Sequence, residues 1–360
     1  MITLFNGKLK ATGPADPERM TNLQSIFAEY PNVAIATEPK FLANAGGFSG
    51  AAFWRVTTDQ GDLCLRRWPA AHPTPGQLRW IHSVLRHAAA KGIDFLPVPL
   101  TTPAGTSFVQ HDGHLWELAP WMPGKADFHD NPSTETLSAV MQALASFHEA
   151  VVDFPHDLPA VAPSPSPGLA QRLEMLCKLR GGELERIRRA IPSVHGSSLA
   201  DASGCDRLDD TALRLLGLFE TAQDRVHDDL AATASVPLPL QVCLRDIWHD
   251  HVLFTRSRVT GIVDFGAMRV ESVCGDIARL LGSLVEDDAK GWKQGLAAYE
   301  SVQPLTDVEC RMVRAFDRSS TLLSGMNWLR WIYLDDRRFE DMATVTGRLA
   351  KICRRLTRIL

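Results

Sequence analysis

The sequence lacks the marks of several protein classes. Its 360 residues contain no stretch of 18 apolar side chains, so a membrane-spanning helix is not expected. The opening Met1-Ile2-Thr3-Leu4-Phe5-Asn6-Gly7-Lys8 holds no apolar run long enough for a secretory leader. No Cys-x-x-Cys pair occurs among the seven cysteines, which lie far apart at positions 64, 177, 205, 243, 274, 310 and 353. An odd, scattered set points to reduced thiols in the cytoplasm rather than a disulfide scaffold. There is no basic excess either. Lys+Arg number 38 against 42 Asp+Glu, a net charge of −4, which argues against a nucleic-acid partner and leaves a cationic small molecule open. No internal repeat is present. What is present, 45% hydrophobic and 22% charged residues, excludes disorder. The length predicts two domains or lobes.

The first third reads mainly as strands and turns. Phe53–Thr57 and Leu63–Arg67 flank the turn-prone Thr58-Asp59-Gln60-Gly61 and predict an antiparallel hairpin. Gly76–Lys91 carries Leu78, Ile81, Leu85 and Ala89 at helical spacing. A second strand pair is expected at Thr106–Gln110 and His114–Leu118. Thr134–Ala150 is helical by the same spacing rule, and Leu158–Gly168, with four prolines, is a linker. Helices are expected at Leu169–Ala190, Asp209–Ala231, Asp276–Val285, Trp292–Glu300, Asp307–Tyr333 and Phe339–Leu360, with short strands at Leu238–Cys243, Val252–Thr255 and Gly261–Phe265.

The informative segment is Leu244-Arg245-Asp246-Ile247-Trp248-His249-Asp250-His251, followed by an apolar strand, a turn, a second apolar strand and Asp264-Phe265-Gly266. This order sets Asp246 at the start of a hairpin and Asp264 at its far end. Either carboxylate alone would read as a cap. Together they match the two roles that phosphoryl transfer needs: one to take or orient the hydroxyl proton, one to hold the metal that bridges the phosphates.

These residues resemble the aminoglycoside phosphotransferase and choline kinase superfamily. Its catalytic loop, roughly H-G-D-x-x-x-x-N, is followed by I-D-F-G and G-D-x-x-x-D-L-A; this chain offers L-R-D-x-x-x-x-H, I-V-D-F-G and C-G-D-I-A-R-L-L. The resemblance implies an α+β, two-lobed protein-kinase-like fold, with a small β-rich N-lobe (1–115), a hinge (116–124) and a larger helical C-lobe (125–360). It implies ATP-dependent phosphorylation of a small-molecule alcohol, with Asp246 as base, Asp264 as principal metal ligand and Mg²⁺, or Mn²⁺, as the ion. Asn44-Ala45-Gly46-Gly47-Phe48-Ser49-Gly50 matches the nucleotide-covering loop, where glycines let backbone N–H groups approach phosphates; Gly46, Gly47, Ser49 and Gly50 are its candidates. Arg66 stands where the family has its phosphate-binding cation. Trp116 to Gly124, with Glu117 and Trp121, matches the hinge that meets adenine. Asp276 and His148 are expected to be structural.

The departures are as specific as the matches. His251 replaces the family's second metal ligand, and imidazole suits Zn or Mn better than Mg. Leu244 and Arg245 replace the His and Gly of the loop, and Arg245 sets a cation beside the base. No acidic residue lies between Arg66 and Asp94, so the helix that normally pairs the phosphate-binding cation has no acid; Gln77 offers only a neutral hydrogen bond. These departures motivate a second reading, a nucleotide- or metabolite-binding pseudokinase. A third, a metal-dependent hydrolase, would use His249, His251 and Asp264. Trp328 and Trp331, three apart on a helix face, and Glu286-Asp287-Asp288 read as packing and a solvated helix end, or else as an acceptor pocket for a cation. The sequence carries no sign of an oligomeric state.

Overall fold

Residues 17–42, 51–155, 163–191 and 204–359, apart from 336, 338, 340 and 341, are described by the computed structural model of the chain. The chain divides into two compact units. One comprises Met1–Pro155, Gln241–Arg269 and Lys293–Pro304; the other comprises His156–Leu240, Val270–Trp292 and Leu305–Leu360. Among the described residues no helix is long and apolar enough to cross a membrane.

The first unit opens with helix α1 (Pro17–Ala28) and the short strand β1 (Lys40–Phe41). The expected hairpin follows as β2 (Ala52–Thr58) and β3 (Gly61–Arg67), then helix α2 (Pro75–Ala90) and the strands β4 (Val109–His111) and β5 (His114–Pro120). These strands form one five-stranded sheet in the order β1-β2-β3-β5-β4, antiparallel throughout. Register decides what each face carries, because successive side chains point to opposite faces. Trp54, Val56, Leu65, Trp116 and Leu118 share one face and pack with Leu23, Ile26 and Tyr30. Burying side chains such as Leu65 and Val56, both fully covered, stabilises the sheet by roughly 1.5–3 kcal/mol each. The alternate positions, Phe53, Cys64, Arg66, Glu117 and Ala119, therefore face the other way, onto a cleft.

Helix α2 starts where Thr74 caps it, with Pro75 at its first turn. Helix α3 (Thr134–Val151) begins on a reciprocal cap between Ser133 and Thr136. A second hairpin, Val252–Thr255 with Arg258–Ile262, belongs to the same unit. Its second strand ends at Ile262 instead of running on to Phe265 as the sequence predicts. Asp264 adopts a left-handed backbone, φ 67°, which no continuous strand permits. Gly124 joins the segment after β5 to this hairpin. Its φ is +103°, and a Cβ there would lie 2.6 Å from the Phe254 carbonyl oxygen, so only glycine lets the two backbones approach. Lys125 and Phe254 then exchange backbone hydrogen bonds of 2.9 and 2.8 Å.

The second unit is largely helical, with Pro167–Lys178, Leu184–Ala190, Gly204–Thr233, Cys274–Leu284, Asp307–Tyr333 and Met342–Ile359. The first helix begins two residues before the predicted start, since Ser166 caps it and Pro167 suits its first turn. The predicted single helix to Ala190 is interrupted at Leu179–Glu183, where Gly182 has φ 122°. The 27-residue helix Asp307–Tyr333 agrees with its predicted bounds and is capped by Thr306 and Glu309.

Candidate active site

The cleft-facing side of the sheet, with α2 and the segment around Asp264, encloses about 700 Å³ including its open mouth. Phe53, Ile81, Leu85, Pro97, Met122 and Phe265 supply apolar walls. Arg66, His82, Glu117 and Asp264 are the ionisable groups that converge on it. A mostly apolar cleft with a few directed polar groups is the usual form of a small-molecule site. Cys64 also lines it, and burial together with Glu117 pushes its thiol up to about 12, so it stays protonated.

Arg66 is 8% exposed. Its Nη2 donates to Asp264 Oδ1 at 3.1 Å, and its guanidinium carbon lies 3.3 Å from the centre of the Trp68 ring. Its Nε is buried without a hydrogen-bond partner. A buried cation with spare donor capacity on a cleft is suited to an anion. Burial, the largest single influence, pushes the Asp264 carboxyl up; the charge and hydrogen bond of Arg66 lead the groups that together hold Asp264 below the ordinary carboxylate value. The glycine of Asp264-Phe265-Gly266 is required by close packing, since a Cβ at Gly266 would lie 3.1 Å from the Trp68 ring.

The helix acid expected by resemblance is indeed missing, and Gln77 does not replace it. Gln77 sits in the first turn of α2, where its backbone N–H donates to Thr74 Oγ1 at 3.2 Å, and its side-chain oxygen, correctly turned, accepts from the Arg269 guanidinium. The acid lies on β5 instead. Glu117 is the cross-strand partner of Arg66. Its Oε2 accepts from Trp68 Nε1 at 2.9 Å and meets His82 Nε2 at 2.8 Å. His82, from the middle of α2, uses its Nδ1 at 2.8 Å from Ser107 Oγ. Burial pushes the Glu117 carboxyl up; His82, Arg66 and Trp68 together bring it below its ordinary value. The Glu117 carboxylate is committed to Trp68 and His82, and its backbone pairs with β3.

Asp246 follows the strand Gln241–Cys243, and a short 3-10 turn, His249–His251, follows it. Arg245, just before it, has φ 64°, a costly conformation for a non-glycine residue and one found at functional loops. Arg245 also stands near Arg269; burial and this neighbour hold the Arg269 guanidinium below its ordinary value. His251 is 1% exposed. Its Nδ1–H donates to the Asp246 carbonyl at 2.8 Å, and its Nε2 accepts from Trp248 Nε1 at 2.8 Å. Accepting that bond requires a lone pair, so the ring is neutral with its proton on Nδ1. Nε2 is 3.8 Å from Asp264 Oδ2. His251 therefore spans the two loops that carry the two aspartates. The Nε2 lone pair through which His251 would ligate a metal is engaged by Trp248 here. Among the described residues, His249, His251 and Asp264 do not bring their ligand atoms within 4.8 Å of one another, so the hydrolase reading finds no three-ligand centre.

Trp121 lines the cleft, donates its backbone N–H to the Asp62 carbonyl at 3.0 Å and lies under the Arg55 guanidinium at 4.8 Å. Gly46, Gly47, Ser49 and Gly50 lie outside the described residues. His148 is fully buried and bonded to Tyr299 Oη at 2.8 Å, a packing role. In the helical unit Trp328 and Trp331 meet edge to face at 5.3 Å, with Arg348 over one ring and Arg337 over the other. The chain's own cations occupy those faces. Glu286-Asp287-Asp288 is not merely solvated: Glu286 pairs with Lys351, Asp287 with Arg355, and Asp288 accepts the Lys290 and Gly291 amides.

Sequence reasoning missed Trp68, His82 and Ser107. Two of them left a trace. Trp68 stands two residues after Arg66, on the same side of the strand direction, and His82 interrupts the apolar face of α2 four residues after Leu78.

Comparison with known proteins places these features in a family. The sequence model of the phosphotransferase enzyme family matches residues 40–310. The homoserine kinase of Granulibacter bethesdensis is 25% identical over 293 residues, covering 80% of this chain and 78% of that protein. An aminoglycoside phosphotransferase from Alicyclobacillus acidocaldarius superposes with TM-score 0.60 at 18% identity, over 97% of this chain and 95% of the other. A spectinomycin phosphotransferase, solved with ADP and spectinomycin, superposes with TM-score 0.65 at 11% identity, over 97% and 99% of the two chains. The α+β fold is the kinase-like fold of these enzymes.

Proposed function

The chain belongs to the phosphotransferase enzyme family, and from that premise we propose that it uses ATP to phosphorylate the hydroxyl of a small amino alcohol of the homoserine type. That it is a small-molecule phosphotransferase acting on an alcohol follows from the family and its kinase relatives; the choice of nucleotide, ion and acceptor is our reading. The observation that carries it is the buried Arg66 of β3 bonded to Asp264 of Asp264-Phe265-Gly266 within one cleft.

In this reading the β-strand cation Arg66 receives the phosphates, and the apolar walls around Phe53, Ala119 and Met122 receive the base. Asp246 accepts the proton of the acceptor hydroxyl. The alcohol oxygen bonds to the γ-phosphorus while the bond to the bridging oxygen breaks, and the electron pair leaves with ADP. Such a transition state asks for positioning and charge stabilisation more than covalent help. The donor set suits a hard divalent cation: Asp264 offers carboxylate oxygen, and Mg²⁺ commonly takes one or two carboxylates plus substrate phosphates. Asp264 would hold it, and the ion would neutralise charge on the phosphates. The ADP complex of the spectinomycin phosphotransferase supports nucleotide use, and the homoserine kinase relative supports an amine-bearing acceptor. The six cysteines whose side chains are described are free thiols, which supports a cytoplasmic protein.

The test is ADP release with ATP, Mg²⁺ and a panel of homoserine-like amino acids, choline-like amines, sugars and aminoglycosides. Turnover is expected with the first class. Asp246→Asn should lower it by about 10²–10⁴-fold, the usual contribution of a general base, while ATP still binds. Undiminished turnover in that variant overturns the assignment of the base. ATP binding with no turnover on any acceptor favours the nucleotide-binding module instead.

A further inference from the structure

One group of buried polar side chains beside the cleft has no part in the chemical step. Ser107, His82, Glu117 and Trp68 form an unbroken chain of hydrogen bonds of 2.8, 2.8 and 2.9 Å. Ser107 is 3% exposed, His82 1% and Trp68 4%. Packing alone would be served as well or better by apolar residues, because buried polar groups must each be satisfied. The chain also has a direction. It ends at the Trp68 indole N–H, and the same indole presents its face to the Arg66 guanidinium at 3.3 Å.

We propose that Ser107, His82, Glu117 and Trp68 are positioning residues that fix the Arg66 guanidinium for the nucleotide phosphates, replacing the acid that α2 lacks. The inference rests on the reading that Arg66 meets the phosphates. Three further observations support it. Glu117 stands directly across from Arg66 in the sheet, yet its oxygen is held by Trp68 and His82, which leaves the guanidinium free to pair elsewhere. The backbone of Trp68 is fixed on both sides: its N–H donates to the Leu115 carbonyl at 2.8 Å, and its own carbonyl accepts from His114 Nδ1 at 2.8 Å. Its ring packs beside Gly266 so closely that a Cβ there would lie 3.1 Å from it. An aromatic plane so held can restrain an arginine without neutralising it. A second carboxylate on the guanidinium, added to Asp264, would compete with the phosphates for the remaining N–H donors.

The experiment measures binding of ATP with Mg²⁺, and separately of adenosine, to the full chain by calorimetry. Arg66→Ala is the reference and should weaken ATP about tenfold or more while leaving adenosine unchanged. His82→Leu should weaken ATP by about tenfold with adenosine unchanged, and His82→Gln, whose amide can still donate to Glu117, should recover part of that loss. Trp68→Phe keeps the ring and removes only the N–H; it should show a smaller loss in the same sense, and it decides the matter if His82→Leu does not fold. Equal weakening of ATP and adenosine, or none for either, overturns the positioning role. An Arg66→Ala chain that holds ATP as tightly as the parent overturns the phosphate reading and the positioning role together.

Discussion

Two arginines of low exposure, Arg66 in the sheet-bearing unit and Arg355 in the helical unit, with side chains 9% and 12% exposed, have opposite fates. Arg355 Nε bonds Asp287 at 3.1 Å, and its Nη2 bonds both oxygens of Asp317 at 2.9 and 3.0 Å. Two carboxylates of its own chain saturate it, and they push the guanidinium above its ordinary value in spite of burial. Arg66 has one carboxylate, two aromatic rings (Trp68 at 3.3 Å and Phe53 at 5.2 Å) and a buried Nε with no hydrogen-bond partner. Residue type and burial are alike; satisfaction differs. An arginine so paired is a strut between helices, and one with a spare donor on a cleft is suited to an anion.

The largest expected effect separates the two by what each loss damages. Asp264→Asn should lower turnover by roughly 10²–10³-fold or more, the scale of removing a directed electrostatic group, with a smaller change in stability than its counterpart. Arg355→Met should lower unfolding free energy by about 1–3 kcal/mol, because it leaves the half-buried Asp317 without its main partner and Asp287 with only Arg358, while the folded fraction keeps its turnover. Urea denaturation and ADP release on both variants measure this. Exchanged outcomes would break the distinction between strut and receptor.

A smaller effect sharpens the receptor side. Gly266→Ala would set a methyl 3.1 Å from the Trp68 ring, closer than ordinary contact allows. A ring displaced by that methyl would carry its contact with Arg66 along with it. Overpacking of this kind costs about 1–3 kcal/mol, and ATP affinity should fall severalfold with it. The same calorimetric titration reads the affinity, and a melting curve reads the stability. An alanine variant that binds ATP as the parent does would show that the Trp68 plane is not what holds Arg66.

Much of this was legible in the residues, and the exceptions have physical reasons. The hairpin of β2 and β3, the helix Asp307–Tyr333 and the pairing of Asp246 with Asp264 around a second hairpin follow from period, turn chemistry and spacing, which are local. The strand predicted to continue to Phe265 stops at Ile262 because Asp264 turns left-handed, and apolar alternation does not report φ. The absent helix acid was visible, but its replacement was not. Glu117 is 51 positions from Arg66 in sequence and becomes its neighbour only through the register of β3 with β5. His251 matched a ligand position by spacing alone. Its neutral state depends on the Trp248 N–H, a contact three residues away that a turn creates. The acids at 286–288 read as solvated until the helix Met342–Ile359 brought Lys351 and Arg355 to them.

The smallest expected effect is a difference in pH dependence between the two carboxylates. Asp264 lies below its ordinary value of 3.8 because Arg66 leads the groups that together outweigh burial. Its ionised form therefore contributes stability that is fully present above the unfolded value and lost as pH falls through the lower folded one. Asp317 lies above 3.8, because burial and the neighbouring Asp287 outweigh Arg355. There the native state takes up its proton before the unfolded chain does. As pH falls from neutrality through that raised value, stability rises relative to a chain without the carboxyl. The measurement is unfolding free energy of the parent against Asp317→Asn and Asp264→Asn at a series of acidic pH values. The parent's standing against Asp317→Asn should improve on acidification, and its standing against Asp264→Asn should worsen only below about 3.8. Slopes of the same sign for both pairs would mean that the second carboxylate on Arg355 does not set the two sites apart, and that saturation is not the property distinguishing the strut from the receptor.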